Sequence, residues 1–144
     1  LRQPYFVVVS FSFIIFGILK NKRLIGGDVV IIPGNLAELT GISQRFIDEL
    51  LAHCSSNSLI KKVVLFGSRA RGDFHLRSDI DLAIYTNNVT HTQQNLIEFT
   101  IQEMLTHLKI DIIFTDRLTK NALIDNIKRD GVIVYEQGKA IREA

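Results

Sequence analysis

Residues 66–84 read FGSRARGDFHLRSDIDLAI, and the rest of the chain takes its meaning from this stretch. Immediately before it, Lys61 to Phe66 is a short, nearly continuous apolar run, the pattern of a buried strand. Gly67 to Gly72 then reads as a turn that opens a short helix. Asp79 to Tyr85 alternates polar and apolar, the pattern of a second strand. Gly67 carries no side chain, so a phosphate can approach its backbone. The Ser68 hydroxyl and the N–H groups of a helix start can hold phosphate oxygens. On a strand, Asp79 and Asp81 point to the same face, about 6.6 Å apart along the chain. Ile80, Leu82 and Ile84 point the other way, into a core. Two acids so placed repel each other, and a divalent cation relieves that repulsion. Magnesium takes such oxygen ligands at about 2.1 Å.

Taken singly, these features mean little. A D-x-D on a strand is most often a solvated outer face, and Gly-Ser after a strand is most often a turn. Their combination, with ten residues between Ser68 and Asp79 in a strand–turn–strand context, is far more specific. A third acid comes from the strand Ile110 to Phe114, where Asp111 stands between apolar neighbours. In a two-metal site it can ligate a metal and help activate an attacking hydroxyl. Asp116 competes for that role, but it lies past the strand end and is the weaker choice. Arg69 and Arg71 can pair with phosphates or form a solvated helix face. Arg77 has a salt bridge to Asp73 as its plain alternative. His75 reads as a loop residue, and His53, His91 and His107 as surface or helix-end residues. Cys54 has no histidine motif near it, which argues against a nucleophile.

Outward from this stretch the elements alternate. Residues 43–55 form a helix capped by Ser43, with Phe46, Ile47, Leu50 and Leu51 at helical spacing. Residues 92–108 form another, with Ile97, Ile101, Met104, Leu105 and Leu108 on one face. Thr119 caps a last helix, reaching about residue 129, and Gly131 suits its C-terminal cap. Val132 to Tyr135 is a fourth strand. Pro33-Gly34-Asn35 reads as a turn and a domain boundary. This order predicts an α/β or α+β sandwich.

At 144 residues, 47% hydrophobic and 22% charged, the chain has the composition of one globular domain and not of a disordered segment. A single cysteine excludes an internal disulfide and any multi-cysteine metal site, and fits a reducing cytoplasm. The net charge of +2 is unevenly spread. Residues 1–34 carry +3, and residues 35–144 carry thirteen basic against fourteen acidic side chains. The folded part therefore has no basic excess with which to hold a long nucleic acid.

Residues 5–19, YFVVVSFSFIIFGIL, carry no charge and are followed by Lys20, Lys22 and Arg23. Fifteen residues fall short of the roughly 20 that a spanning helix needs. Three readings stand for residues 1–34: a membrane anchor, an apolar segment folded onto the domain, or upstream sequence read as protein. The last rests on Gly26-Gly27-Asp28, whose codons can resemble a ribosome-binding site before a GTG start at Val29 or Val30. It is the leading reading, and the coding DNA decides it. Residues 35–144 are the expected domain. Without an anchor, the expectation is a cytoplasmic protein.

The stretches LFGSRARG and SDIDLAI, with IDIIFTD and GVIVYE behind them, resemble the minimal nucleotidyltransferase domain of the polymerase-beta superfamily. The resemblance covers about residues 36–137. It implies the polymerase-beta-like fold, a mixed four-stranded sheet with helices packed against it. It also implies that Gly67 and Ser68 bind the triphosphate of ATP; beside them, Arg69 is the further candidate for a nucleotide contact. Asp79 and Asp81 would ligate Mg²⁺, two ions in all, and Asp111 would be the third carboxylate. The chemistry implied is transfer of AMP from ATP to a hydroxyl. Minimal domains of this kind often pair with a HEPN-domain protein in toxin–antitoxin modules. The leading expectation is thus an antitoxin that modifies a tyrosine of its HEPN toxin. The alternatives are an enzyme acting on a small molecule such as an aminoglycoside, and a non-catalytic module that masks a toxin.

Overall fold

The computed structural model describes residues 33–138. The apolar segment 5–19 and the proposed start at Val29 or Val30 lie outside the described residues.

Four strands form one sheet in the order β3-β2-β1-β4, where β1 is Ile60–Phe66, β2 Ile80–Thr86, β3 Ile110–Phe114 and β4 Val132–Glu136. β1 runs antiparallel to both β2 and β4, whereas β2 and β3 are parallel. The sheet is therefore mixed, as the family resemblance implies. Parallel neighbours cannot be joined by a hairpin. The chain accordingly crosses from β2 to β3 through a helix, α4, at His91–Gln102.

Alternation along the strands divides the molecule into two apolar layers. Val63 and Leu65, Ile80, Leu82 and Ile84, and Ile110 and Phe114 enter the larger core. The other side of that core comes from helix α2, Gln44–Ser56, which contributes Phe46, Ile47, Leu50, Leu51 and Cys54. Ile97 and Ile101 of α4 close it. The opposite face is smaller: Val64, Ala83 and Ile127 pack there with Phe66, Tyr85 and Ile113 around them. Ile127 belongs to helix α5, Asn121–Asp130. Asp81 and Asp111 alternate with the core residues of β2 and β3, so they lie on this second face.

Several boundaries differ from the sequence reading, each for a local reason. Pro33-Gly34-Asn35 is not a turn. It opens a helix, α1, at Pro33–Thr40, and the fixed φ of proline suits a first helical turn. The turn comes later, at Gly41, whose N–H donates to Ala37 O at 2.9 Å with φ +65°. That is a left-handed helix stop of the kind glycine favours.

Helix α4 stops at Gln102 instead of running to Leu108. Met104 N–H turns back to Ile101 O at 3.1 Å, and Gln102 Nε2 donates to Ile110 O at 2.9 Å. The chain then enters β3 beside the start of β2. Leu108 still reaches the core, but Leu105 is exposed. The start of α4 is set by a capping box of Thr90 and Gln93.

Helix α5 begins after Lys120 with no side-chain cap, so Thr119 does not cap it. Gly131 ends it at φ −67°, outside the left-handed region. A side chain at Gly131 would strike Ile127 O and Val64, so close packing, not a positive φ, demands glycine there. Ser43 caps α2 as predicted, accepting from Phe46 N–H at 3.2 Å.

Candidate active site

The three acids meet at one end of the sheet. β2 begins at Ile80, so Asp79 stands just before the strand and Asp81 is its second residue. Ile80 N–H donates to Lys109 O at 2.8 Å, which locks β3 alongside. The parallel register then sets Asp81 directly opposite Asp111. Asp116 lies in the 3-10 turn Thr115–Arg117, after the far end of β3. There its carboxylate accepts two bonds from Gln94 Nε2, both 2.9 Å. Of the two acids considered for the third position, Asp111 is the one beside Asp79 and Asp81.

Gly67 meets the acids from the other side. Phe66 pairs with Asp81 across β1 and β2, and the next residue, Gly67, has φ +72°. A Cβ at Gly67 would collide with the Asp81 carboxylate. Glycine is therefore needed twice, for the left-handed backbone and for the close approach of the acid. Gly67 starts the short helix α3, Gly67–Arg71. Ser68 follows, half-buried, and its hydroxyl makes no hydrogen bond within the described residues.

The electrostatics are those of an acid cluster short of positive charge. Burial, then Asp111 and Asp79, push the Asp81 carboxyl above its ordinary range, with Lys109 and Arg71 pulling the other way. Lys109 was not anticipated from sequence. Its Nζ lies 2.7 Å from Asp111 Oδ1 and 3.5 Å from Asp79 Oδ2. The hydrogen bond to Asp111, above all, raises the Lys109 ammonium. Its only sequence signal is a cation two residues before Asp111 in an extended segment. Among the described residues no three His, Cys, Asp or Glu side chains converge tightly enough to hold a metal as they stand. The donor set is nonetheless all carboxylate oxygen, the kind that suits magnesium. The mutual repulsion felt by Asp81 is what a divalent cation relieves, so these residues fit such an ion.

Arg69 requires correction. Expected to touch the nucleotide, it is instead 1% exposed. Its guanidinium donates from Nε to Ser78 O at 2.9 Å and from Nη1 to Thr40 O at 2.8 Å. Nη2 donates to His75 O at 3.4 Å and Leu76 O at 3.3 Å. The Phe74 ring lies 4.8 Å from it. A fork of donors so committed is not available to a phosphate.

Other side chains fall as follows. Arg71, not Arg77, pairs with Asp73, at 3.3 Å. His75 is exposed in the loop. His53 is half-buried in α2, its Nε2 has no partner among the described residues, and burial lowers its pKa. Cys54 is fully buried and its thiol is pushed up to about 12, so it is no nucleophile. No helix among the described residues is long and apolar enough to cross a membrane.

Residues 48–140 match the family described as "Polymerase beta, Nucleotidyltransferase". The protein adenylyltransferase MntA of Aphanizomenon flos-aquae (strain 2012/KM1/D3) is 30% identical over 112 residues, 71% of this chain and 69% of that protein. A crystal structure from Sulfolobus solfataricus, assigned to the nucleotidyltransferases, superposes with TM-score 0.46 and 21% identity, covering 74% of this chain and 87% of that one. A mutant MntA-HpeT toxin–antitoxin structure gives TM-score 0.49 and 18% identity over 68% and 76% of the two chains. With a mixed four-stranded sheet, the glycine-serine turn and the acids gathered at one sheet end, the chain belongs to the polymerase-beta nucleotidyltransferase family.

Proposed function

We propose that this protein transfers AMP from ATP to a hydroxyl group, that the hydroxyl is a tyrosine of a HEPN-domain toxin, and that it acts as that toxin's antitoxin in the cytoplasm. The observation that carries the chemistry is the placement of Asp81 opposite Asp111, with Gly67 pressed against the Asp81 carboxylate. The identity to a protein adenylyltransferase supports the reaction class. In this reading Asp79, Asp81 and Asp111 hold magnesium, which when bound neutralises charge on the phosphates. Gly67 and Ser68 receive the triphosphate, with the Ser68 hydroxyl free to donate. The acceptor oxygen forms its bond to the α-phosphorus, the bond from that phosphorus to the bridging oxygen breaks, and pyrophosphate leaves. The hydroxyl proton goes to Asp111. Through their ion pair Lys109 holds the Asp111 carboxylate in position. Catalysis is then mostly positioning and electrostatic stabilisation.

The test is intact mass spectrometry of the neighbouring gene product after incubation with this protein, ATP and Mg²⁺. AMP-sized mass steps that vanish with the Asp79→Asn, Asp81→Asn double variant are expected. A stable complex without any mass change would leave a masking antitoxin instead. Neither complex nor mass change would turn the search to small-molecule acceptors.

A further inference from the structure

We infer that Arg69 is a positioning residue: its buried guanidinium clamps the end of α1 to the loop that delivers Asp79, and so sets the metal-binding geometry from beneath. This rests on the reading of Asp79 and Asp81 as metal ligands.

Two segments of the chain, the end of α1 and the loop before β2, converge on this one side chain. Thr40 O closes α1, Ser78 O immediately precedes Asp79, and His75 O and Leu76 O form the middle of the loop. All four acceptors are backbone carbonyls, so the clamp acts on main-chain position and not on side-chain rotamers. The loop has its own brace, since His75 N–H donates to Ser78 Oγ at 2.8 Å and Ser78 N–H to His75 O at 3.1 Å. Around the guanidinium the packing leaves no slack. A Cβ at Gly41 would lie 3.0 Å from Arg69 Nη1 and 2.6 Å from the Phe74 ring. Arg69 is buried without a carboxylate bonded to it among the contacts above, and Asp79 is the acid whose charge it feels. A planar five-donor fork can meet carbonyls from both segments at once. A lysine ammonium, with three donors on a flexible stem, cannot reproduce that.

A phosphate-contacting arginine and a clamp predict different behaviour. Losing a phosphate contact should weaken ATP binding and leave metal binding alone. Losing the clamp should displace Asp79, weaken the metal and lower kcat with KM for ATP nearly unchanged. The experiment measures Mn²⁺ binding to the full chain by electron paramagnetic resonance, without nucleotide, beside kcat and KM. Wild type, Asp79→Asn, Arg69→Lys, Ser78→Ala and an exposed control, Arg45→Ala, are compared. Arg69→Lys is expected to lose at least tenfold in Mn²⁺ affinity. Ser78→Ala, which removes only the loop's own brace, is expected to lose severalfold, and Arg45→Ala nothing. If Arg69→Lys fails to fold, Arg69→Gln, which keeps two of the donors, is the second clamp variant. Wild-type Mn²⁺ affinity in every folded clamp variant, against a clear loss in Asp79→Asn, would overturn the clamp and keep the metal site. Absence of Mn²⁺ binding in the wild type would remove both.

Discussion

Asp81 is the residue at which the crowding of the acids has a measurable consequence. Its carboxyl is raised by burial and by two neighbouring acids. A carboxyl whose pKa is higher in the folded than in the unfolded state favours folding while protonated. That advantage is lost as the pH rises through the unfolded and then the folded value. The metal-free protein should therefore lose stability as the pH climbs out of the ordinary carboxylate range, and added Mg²⁺ should restore it. Thermal melts in chelator and in Mg²⁺ across that range check this. Asp81→Asn removes the repulsion and should raise the metal-free melting point by a few degrees, about 1 kcal/mol. The same change should cost on the order of 4 kcal/mol or more in transition-state stabilisation. Gly67→Ala is expected to act on the same carboxylate by collision, lowering kcat at least a hundredfold; retention of most activity would deny Gly67 its place at the site. At this scale residue type and spacing single out Gly67, Asp79, Asp81 and Asp111, and the structure brings the four to one end of the sheet. Sequence misled at Arg69, because nothing in GSRARG distinguishes an arginine that reaches for phosphate from one that turns inward to carbonyls. Lys109 carries little sequence signal because a cation two residues from Asp111 is an ordinary spacing, and its second partner, Asp79, lies across the strand pair.

The elements place those residues, and their energetics are ordinary. The core face of β2 is Ile80, Leu82 and Ile84, none more than 1% exposed, and this is what turns Asp81 to the opposite face. A one-residue slip would bury the acids and expose the core, so the register is strongly held. In α2, Leu50 is 1% exposed, and Leu50→Ala should destabilise the fold by about 3 kcal/mol in denaturant melts. Thr90→Ala removes the capping box of the crossover helix and should cost about 1 kcal/mol. Neither change touches the acids, so per folded molecule both should keep wild-type turnover. Strong periodicity made β1, β2, β3, β4 and α2 legible. The ends were less so. Periodicity alone carried α4 on to Leu108, whereas the need to begin β3 beside β2 turns the chain at Gln102. Helix α1 was read as a turn because Pro-Gly-Asn suits both a turn and a first helical turn, and only the later stop at Gly41 separates them.

At the scale of the whole molecule, the acids sit at one end of a mixed sheet with a large core on one face. Among the described residues, α5 packs on the second face around Val64, Ala83 and Ile127. The near-neutral balance of residues 35–144 predicts no retention of long RNA or DNA in a gel-shift assay at physiological salt; a salt-sensitive complex would show that the chain finds basic surface elsewhere. The central claim is that this acid cluster moves a nucleotidyl group, not a phosphoryl group. ATP labelled either on the α- or on the γ-phosphate separates the two, with Mg²⁺ and the neighbouring gene product present. The account predicts that the α-label becomes protein-bound, that the γ-label leaves as pyrophosphate, and that both events stop in the Asp79→Asn, Asp81→Asn variant. Transfer of the γ-label to protein, or α-label transfer that survives in that variant, would contradict it.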